Sequence, residues 1–188
     1  MASAWYTVGM PPRCSVFIAV SLDGFIARPD GRIDWLSIVE RHDEDYGYKA
    51  FFDSVDALVI GRKTYETALG FENWPYATKR CVVLTREARV PSRHGEVFTS
   101  EAPDKIVASL TREGAKRIYV DGGAVIRTFL TAGLLTDLTV SVVPILLGEG
   151  TPLFGHTGPD IRLELVGSRA FESGLLQVAY NLVKPGGT

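Results

Sequence analysis

The sequence predicts an α/β domain with a mainly parallel central sheet and an antiparallel hairpin at its C-terminal end. Short apolar runs, of the length of buried strands, alternate along the chain with helix-compatible stretches. The last two such segments, 162–171 and 175–183, are separated only by Glu172-Ser173-Gly174, which is typical of a hairpin turn. Because parallel strands are joined by crossover helices, we expect helices on both faces of the sheet.

Length and composition favour one globular domain. The chain has 188 residues, of which 46% are hydrophobic and 22% charged. We expect a loose N-terminal segment over 1–12, a single domain over 13–184 and a short tail over 185–188. The formal net charge of −2 argues against nucleic acid or an anionic membrane as a partner, so any anion site must be local.

The cysteines and the hydropathy pattern indicate the cellular compartment in which we expect the protein. Cys14 and Cys81 lie at or beside apolar runs without metal-ligand spacing, so we interpret them as core residues in a reducing compartment and expect no metal. The N-terminus lacks the pattern of a secretory signal, and the longest apolar run, 138–147, is interrupted by Pro144. We therefore expect a cytoplasmic protein without a transmembrane helix.

The first third of the chain predicts a strand, a long loop and a helix. Residues 16–20 form a continuous apolar run that suits a central strand. Residues 21–36 contain two Asp-Gly pairs and a proline, which indicates either a functional loop or a loop packed by its own aromatic residues. Residues 43–53 have an amphipathic pattern, with three carboxylates where a helix dipole favours negative charge.

The segment 56–66 predicts a strand-to-helix turn. The apolar residues 57–60 stop at Gly61, and Arg62, Lys63 and Thr64 lead into a helix-compatible stretch over 64–69. Such a turn leaves backbone N–H groups unpaired, and two adjacent cations with a hydroxyl favour a phosphate there. The alternative is an ordinary surface junction with solvated basic residues.

The second half of the chain repeats this pattern. Strands are predicted over 80–84, 96–99, 117–120 and 138–147, and helices over 103–112 and 124–132. Between the strand at 117–120 and the following helix stands Asp121-Gly122-Gly123, which lets a ligand approach the backbone closely. It lacks the G-x-G-x-x-G pattern, so an ordinary Rossmann fingerprint is not supported.

Three of these loops follow predicted strands: the turn at Gly61, the turn at Gly122-Gly123 and the loop 21–36. Ligands of open α/β sheets bind at the carboxyl ends of the strands. The coincidence favours one extended, phosphate-bearing ligand over two unrelated loops.

Four motifs resemble known families. I-G-R-K-T-Y-E at 60–66 resembles the G-R-x-T-W-E signature of dihydrofolate reductases, and V-D-G-G-A at 120–124 matches their Gly-Gly turn. S-L-D-G-F-I-A at 21–27 and the segment 137–154 resemble the reductase domain of the bacterial riboflavin-pathway deaminase–reductase and its stand-alone relatives. The resemblance spans roughly residues 14–183 and implies a three-layer dihydrofolate reductase-like fold.

The resemblance also implies an NADPH cofactor. In that family, one side of the cofactor's phosphates is held by the residues that correspond here to Gly61, Arg62, Lys63 and Thr64. Thr85 and Arg86 match the place where the adenosine 2′-phosphate is read. Because a guanidinium fork suits a terminal phosphate, the match favours NADPH over NADH.

The remaining cofactor positions come from the same resemblance. The pyrophosphate would lie at the helix N-terminus that follows the second turn, over Gly122, Gly123, Ala124, Val125 and Ile126. Ala19 and Ile26 match positions beside the nicotinamide. The protein would position the cofactor and exclude water from the site, while the cofactor carries the hydride.

The catalytic acid has two candidates by resemblance. Asp45 falls on the carboxylate that dihydrofolate reductases place on the helix before the G-R-x-T motif, although it equally fits a helix-start carboxylate. Asp34 is the second candidate, since the chain has Asp34-Trp35 where the family's reductases have P-W. Predicted substrate contacts are Asp23, Trp35, Asp121 and Ser141, with a plain core serine as the alternative for Ser141.

The resemblance therefore predicts an NADPH-dependent reductase of a pteridine, pyrimidine or related heterocycle. The alternative is a cofactor-binding module or sensor with little catalytic activity. The chain has no P-C-x-x-C motif of zinc deaminases, so riboflavin synthesis would need a separate deaminase. Relatives with the riboflavin-type tail tend to be dimers, and we expect a homodimer.

Overall fold

A computed structural model describes residues 11–87, 91–155 and 158–183. Most of the predicted loose N-terminal segment, and the whole of the predicted tail, lie outside the described residues. The strands are β1 (Arg13–Ser21), β2 (Phe25–Ala27), β3 (Ala57–Gly61), β4 (Arg80–Leu84), β5 (Val97–Thr99), β6 (Arg117–Asp121), β7 (Asp137–Val143), β8 (Thr151–Pro152), β9 (Leu163–Ala170) and β10 (Leu176–Leu182). The α-helices are α1 (Tyr48–Asp53), α2 (Arg62–Ala68), α3 (Pro103–Arg112) and α4 (Gly123–Thr131), and a 3₁₀ helix spans Asp34–Val39.

Eight strands form the central sheet in the order β5-β4-β3-β6-β1-β7-β10-β9. The first six of these are parallel to one another, whereas β10 is antiparallel to both β7 and β9. Strands β2 and β8 form a separate two-stranded sheet. The predicted fold class, a mainly parallel sheet with an antiparallel C-terminal hairpin, is confirmed.

Helices cover the sheet on both faces. On one face, α3 and α4 contribute Ile106, Leu110 and Phe129 to the largest core cluster. On the other face, α1 and α2 contribute Phe51 and Tyr65 to a second, more aromatic cluster. The central strands are apolar on both sides because both sides are covered. Among the described residues, no helix is long and apolar enough to cross a membrane.

Two predicted elements differ from the structure. The helix predicted over 43–53 begins only at Tyr48, because Tyr46 and Gly47 have φ values of 57° and 81°, which no right-handed helix contains. The strand predicted over 138–147 ends at Val143. Pro144 follows at once and has no N–H to continue a ladder.

A polar network joins three strands at the amino ends of the sheet, away from the turns described above. The carboxylate of Asp137 is buried and accepts hydrogen bonds from Ser15 Oγ at 2.9 Å and Thr136 Oγ1 at 2.8 Å. It also pairs with the guanidinium groups of Arg13 and Arg117, each at 3.1 Å. Every oxygen of this buried carboxylate is thus satisfied, which makes its burial tolerable.

Candidate functional site

The central sheet splits between β1 and β6. Their pairing runs only as far as Ser15 and Tyr119, whereas β1 stays paired with β7 up to Ser21. On its other side, β6 stays paired with β3 up to Asp121. The carboxyl ends of β1 and β6 therefore separate into a crevice. Ligands of open α/β sheets bind in crevices of this kind, outside the carboxyl ends of the strands.

The two glycine turns predicted from the sequence lie against each other beside this crevice. Gly122 has φ +94°, and a Cβ on it would lie 2.5 Å from Oγ1 of Thr64. A Cβ on Gly61 would lie 3.3 Å from Cγ2 of Val125. The start of α2 and the start of α4 thus form one continuous surface, on which only glycine fits at position 122.

The two basic residues of the first turn differ in their surroundings. The guanidinium of Arg62 pairs with Glu66 at 2.7 Å and also with Glu87. Lys63 is exposed, and the hydroxyl of Thr64 lies over Gly122. An anion bound at this turn would compete with two carboxylates for Arg62, while Lys63 lies open to solvent.

The predicted 2′-phosphate position lies at the end of β4. Thr85 is buried, and its Oγ1 accepts a hydrogen bond from the backbone N–H of Glu87 at 3.2 Å. Arg86 is exposed next to it. The parallel strands β3 and β4 pair up to Gly61 and Leu84, so these residues lie along the same edge of the sheet as the first glycine turn.

At the start of α4 the side chains and the backbone have different roles. Val125 and Ile126 bury their side chains in the core, and Gly123 is buried while Ala124 is exposed. The N–H of Ile126 already donates to Gly122 O at 2.9 Å. A ligand at this turn would therefore meet the backbone N–H groups that precede it, which a helix leaves without an intrahelical acceptor.

The loop after β1 folds over the start of α4. Its strand β2 pairs with β8, and Cδ1 of Ile26 lies 3.0 Å from the position a Cβ of Gly123 would take. Arg127 holds the arrangement from the helix side, because its guanidinium donates to Pro152 O at 2.6 Å. Ile26 thus lies at the second glycine turn, and its predicted place beside the nicotinamide stays a prediction.

Asp23 connects this loop to the segment after β7. Its carboxylate accepts hydrogen bonds from Ser21 Oγ at 2.6 Å and from the N–H groups of Leu147 and Gly148 at 3.1 and 2.7 Å. The Ser21 hydroxyl is the main cause that lowers the pKa of Asp23. These bonds give Asp23 a structural role, and its predicted substrate contact stays a prediction.

Polar groups also lie on the other side of β1. Ala19 and Trp35 belong to one small apolar cluster, in which Trp35 is only 2% exposed. Within the described residues its indole N–H is a buried donor without an acceptor, a condition that costs about 1–3 kcal/mol unless a ligand or water supplies one. Ser141 is buried, and its hydroxyl accepts a hydrogen bond from Gln177 Nε2 at 3.0 Å, as a core serine would.

The two predicted catalytic carboxylates both have structural partners. Asp34 pairs with Arg28 at 2.8 Å on the surface, and that hydrogen bond lowers its pKa. Asp45 accepts the backbone N–H groups of Gly47 and Lys49, each at 2.9 Å, and the Gly47 bond is the main cause that lowers its pKa. Asp45 thus has the contacts of a helix-start carboxylate, and its catalytic role stays a prediction.

Asp121 has the opposite electrostatic character. It ends β6 at the lip of the crevice, and burial raises its pKa to about 6. Its hydrogen bond from the N–H of Gly122, at 2.7 Å, only partly offsets that rise. A carboxyl that exchanges its proton near neutral pH within a crevice is a candidate for acid–base chemistry.

The charge of Asp121 acts on three tyrosines that the sequence analysis did not predict as site residues. Burial raises the pKa of Tyr48, Tyr76 and Tyr119, and the negative charge of Asp121 adds to each rise. The hydroxyl of Tyr119 reaches across the split sheet to donate to Phe17 O at 2.8 Å. The period of two along β6 could have placed Tyr119 beside Asp121. No local pattern marks Tyr48 or Tyr76, which arrive from separate segments.

The chain has the architecture of α/β proteins with a split parallel sheet, and such proteins commonly bind ligands at the carboxyl ends of the strands. Residues 12–177 match the model of the family described as the RibD C-terminal domain. The chain belongs to that family, which confirms the resemblance seen in its motifs.

Curated relatives share most of the chain. The proteins YwjB and YyaP of Bacillus subtilis are 34% and 30% identical to it, over 86% and 87% of this chain and 94% and 92% of their own lengths. The riboflavin biosynthesis protein RibD of Corynebacterium ammoniagenes is 31% identical over 77% of this chain, which corresponds to 47% of RibD. The similarity thus extends both to stand-alone proteins and to part of a longer one.

Solved structures agree with this assignment. A protein from Shewanella sp. PV-4, provisionally named for riboflavin biosynthesis, has a TM-score of 0.85 and 34% identity, covering 92% of this chain and 99% of its own. A dihydrofolate reductase from Enterococcus faecalis, solved with NADP(H) and a compound named RAB-propyl, has a TM-score of 0.62 at 17% identity, covering 92% of this chain and 97% of its own. The second likeness shows that the fold is dihydrofolate reductase-like.

Proposed function

We propose that the protein is an NADPH-dependent reductase that transfers a hydride to a pteridine, a pyrimidine or a related heterocycle. Membership of the RibD C-terminal domain family supports an oxidoreductase. The observation that carries the proposal is the crevice between β1 and β6, which lies beside the joined glycine turns and has Asp121 at its lip. Two structural relatives have names that point the same way: a pyrimidine reductase-like protein of Corynebacterium diphtheriae and a deaminase and 5-amino-6-(5-phosphoribosylamino)uracil reductase of Thermotoga maritima.

The residues at the turns fit a dinucleotide. Gly122 must lack a side chain because Thr64 fills the space beside it, and the backbone N–H groups at the start of α4 that have no intrahelical acceptor are suited to a pyrophosphate. The exposed Arg86 offers a guanidinium fork for a terminal phosphate at the end of β4. When bound, the dinucleotide supplies the hydride, and the chain supplies its position and keeps water away.

Asp121 is our proposed source of the proton that a reduced ring nitrogen needs. With a pKa of about 6, roughly one molecule in ten carries this proton at pH 7, and it can be replaced after each turnover. The oxygens of Asp34 and Asp45 already accept structural hydrogen bonds, which lowers their pKa, so both carboxyls are ionised near neutral pH and hold no proton to donate.

The alternative proposal is a cofactor-binding module with little catalytic activity. The specific observation in its favour is that both carboxylates expected from the motifs, Asp34 and Asp45, are occupied by structural partners. Both proposals share the nucleotide site and differ only in turnover.

We also place the protein in the cytoplasm. Cys14 and Cys81 are both buried and unpaired, which supports a reducing compartment for a chain that carries them. Burial raises the pKa of each thiol to about 12, so neither is a reactive thiolate at neutral pH.

Thermal unfolding with NADPH and with NADH tests the shared premise. A ligand that binds only the folded state raises Tm, so saturating NADPH should raise it and NADH should raise it less. Arg86→Ala should weaken NADPH by about tenfold or more and NADH little, with Arg112→Ala on α3 as a matched exposed arginine control. No rise in Tm with NADPH would overturn the cofactor proposal, and equal weakening of both nucleotides would remove Arg86 from 2′-phosphate recognition.

Turnover separates the enzyme from the binding module. The absorbance of NADPH is followed with dihydrofolate and with a phosphoribosylamino-pyrimidinone as candidate acceptors. Loss of absorbance with either supports the reductase. If absorbance stays constant with both while NADPH still raises Tm, the binding module becomes the better description.

A further inference from the structure

The accessible part of the central sheet lies along β1, just beyond its split from β6. Residues 17–19 of β1 are half-buried, whereas the middle residues of β3 and β6 are buried. A central strand that is covered on both faces normally buries its side chains. The crevice therefore leaves Phe17 and Ala19, which project from the same face of the sheet, accessible to a ligand.

The wall of the crevice beside Phe17 is aromatic. The ring of Tyr48, at the start of α1, lies edge-on to Phe17 with the centroids 5.8 Å apart, and the ring of Phe51 lies 5.0 Å from Phe17. Tyr48 remains 38% exposed. Aromatic rings pack favourably at centroid distances of about 4.5–7 Å, so a planar heterocycle can extend this cluster by one ring.

The charge at this wall is negative. Asp121 projects from the same face of β6 as Tyr119 does. Burial is the main cause that raises the pKa of Tyr48 to about 12, and the charge of Asp121 adds to the rise. Within the described part of the chain, neither an arginine nor a lysine is among the groups that shift the pKa of Tyr48 or Asp121. Lys49, the next residue of α1, pairs with Asp53 at 2.5 Å instead.

A second negative charge would therefore be unfavourable in the crevice. It would lie near Asp121 in a partly desolvated space, where the repulsion between like charges is stronger than in water. An uncharged ring avoids this repulsion and still gains the aromatic contact.

The other end of the accessible face offers a hydrogen-bond donor. Trp35 belongs to the same apolar cluster as Ala19, and its buried indole N–H has no acceptor among the described residues. Phe17 and Ala19 lie about 6.6 Å apart along the strand, which is comparable with the length of a fused two-ring heterocycle. A ring lying across both residues would have Tyr48 at one end and the cluster of Trp35 at the other.

We propose that the substrate is an uncharged planar heterocycle with a ring carbonyl and without a phosphate or carboxylate arm. Tyr48 packs against the ring and is the specificity-determining residue, while the indole N–H of Trp35 donates to the carbonyl. Asp121 disfavours an anionic arm by repulsion. The inference rests on the proposed reductase function and narrows its substrate class.

Two matched pairs of probes test this selectivity. One pair is hydroxymethylpterin and its phosphate ester, and the other is a ribosylamino-pyrimidinone and its 5′-phosphate. Isothermal titration calorimetry of the whole chain, without a nicotinamide nucleotide, measures affinity in the absence of turnover. In each pair the uncharged member should bind at least about fivefold more tightly. Asp121→Asn should narrow this difference to about twofold or less, because it removes the repelling charge.

Variants of Tyr48 test the aromatic contact. Tyr48→Ala should weaken binding of the uncharged rings by about tenfold, whereas Tyr48→Phe, which keeps the ring, should bind them within about twofold of the wild type. Phe71→Ala is the control, because Phe71 is 53% exposed just after α2, at the end of that helix away from the glycine turn. It should leave both affinities unchanged. Circular dichroism checks that each variant unfolds cooperatively.

Several results would overturn the inference. These are failure of both uncharged rings to bind, equal or tighter binding of the phosphorylated members, a difference that Asp121→Asn leaves intact, or a Tyr48→Ala variant that binds like the wild type. The reductase proposal is judged separately by oxidation of NADPH. A chain that prefers the uncharged rings but oxidises no NADPH would support the inference and refute the reductase. NADPH oxidation with only the phosphorylated acceptors would do the reverse.

Discussion

Replacing Asp121 with asparagine tests the link between the crevice and its unusual carboxyl. Asparagine has nearly the same shape and keeps an oxygen that can accept the N–H of Gly122, which donates to Oδ1 in the wild type. What changes is the charge. Burial raises the pKa of Asp121 from 3.8 to about 6, so the fold disfavours its ionised form.

The direction of the stability effect follows from that rise. A carboxyl whose pKa is higher in the folded state contributes stability below the unfolded value of 3.8, and this contribution is lost as the pH rises through about 6. A rise of roughly two pH units corresponds to at most about 3 kcal/mol above pH 6. Because Asp121 is only partly buried, water screens the charge and we expect about 1–2 kcal/mol.

Asp121→Asn should therefore be more stable than the wild type at about pH 8, with a Tm higher by about 2–8 °C. At about pH 4.5 most of this gain should be absent, because the folded wild type is then protonated. Reduction of an active heterocycle should fall at least tenfold in the variant, since asparagine has no proton to give. A residue whose replacement stabilises the protein but lowers its activity is typical of a functional site.

Asp45→Asn is the matched control. The pKa of Asp45 is lowered by the N–H groups it accepts, so removing its charge should not raise Tm at about pH 8. An Asp121→Asn variant that gains equally at both pH values, or that loses stability at the higher one, would refute the electrostatic reasoning. Turnover lost in Asp45→Asn but kept in Asp121→Asn would assign the proton to Asp45 instead.

Two further changes test the backbone and the polar network. Gly122→Ala should destabilise the protein by about 1–3 kcal/mol, because alanine is strained at φ +94° and its Cβ would meet Thr64. We expect a lower Tm in thermal unfolding and weaker binding in an NADPH titration. An unchanged Tm would contradict the close approach of Thr64 to Gly122. Asp137→Ala should lower the free energy of unfolding by about 3 kcal/mol or more, because it leaves Arg13 and Arg117 without their buried partner. Denaturant titration measures this loss. A loss below about 1 kcal/mol would contradict a central role for this carboxylate.

Local patterns along the chain predict most of the elements. The helix Pro103–Arg112 coincides with the prediction, because proline near its start and glycine after its end mark both limits. The strand Arg80–Leu84 was also predicted, because its run of apolar residues is stable only in a sheet that is covered on both faces. The prediction fails at Tyr46 and Gly47, where two successive positive φ values delay α1. Such a turn depends on tertiary contacts, among them the hydrogen bond from Gln177 to Tyr46 O, which no local pattern encodes.

The sequence by itself determined the α/β class, the family and the two glycine turns, since each depends on residues that are neighbours in the chain. Only the tertiary structure decided which of three candidate carboxyls has a raised pKa. Asp34, Asp45 and Asp121 have the same side chain, and their pKa values diverge because Arg28 or backbone N–H groups stabilise the first two charges while burial penalises the third. Those surroundings come from distant parts of the chain, and a linear pattern carries no record of them.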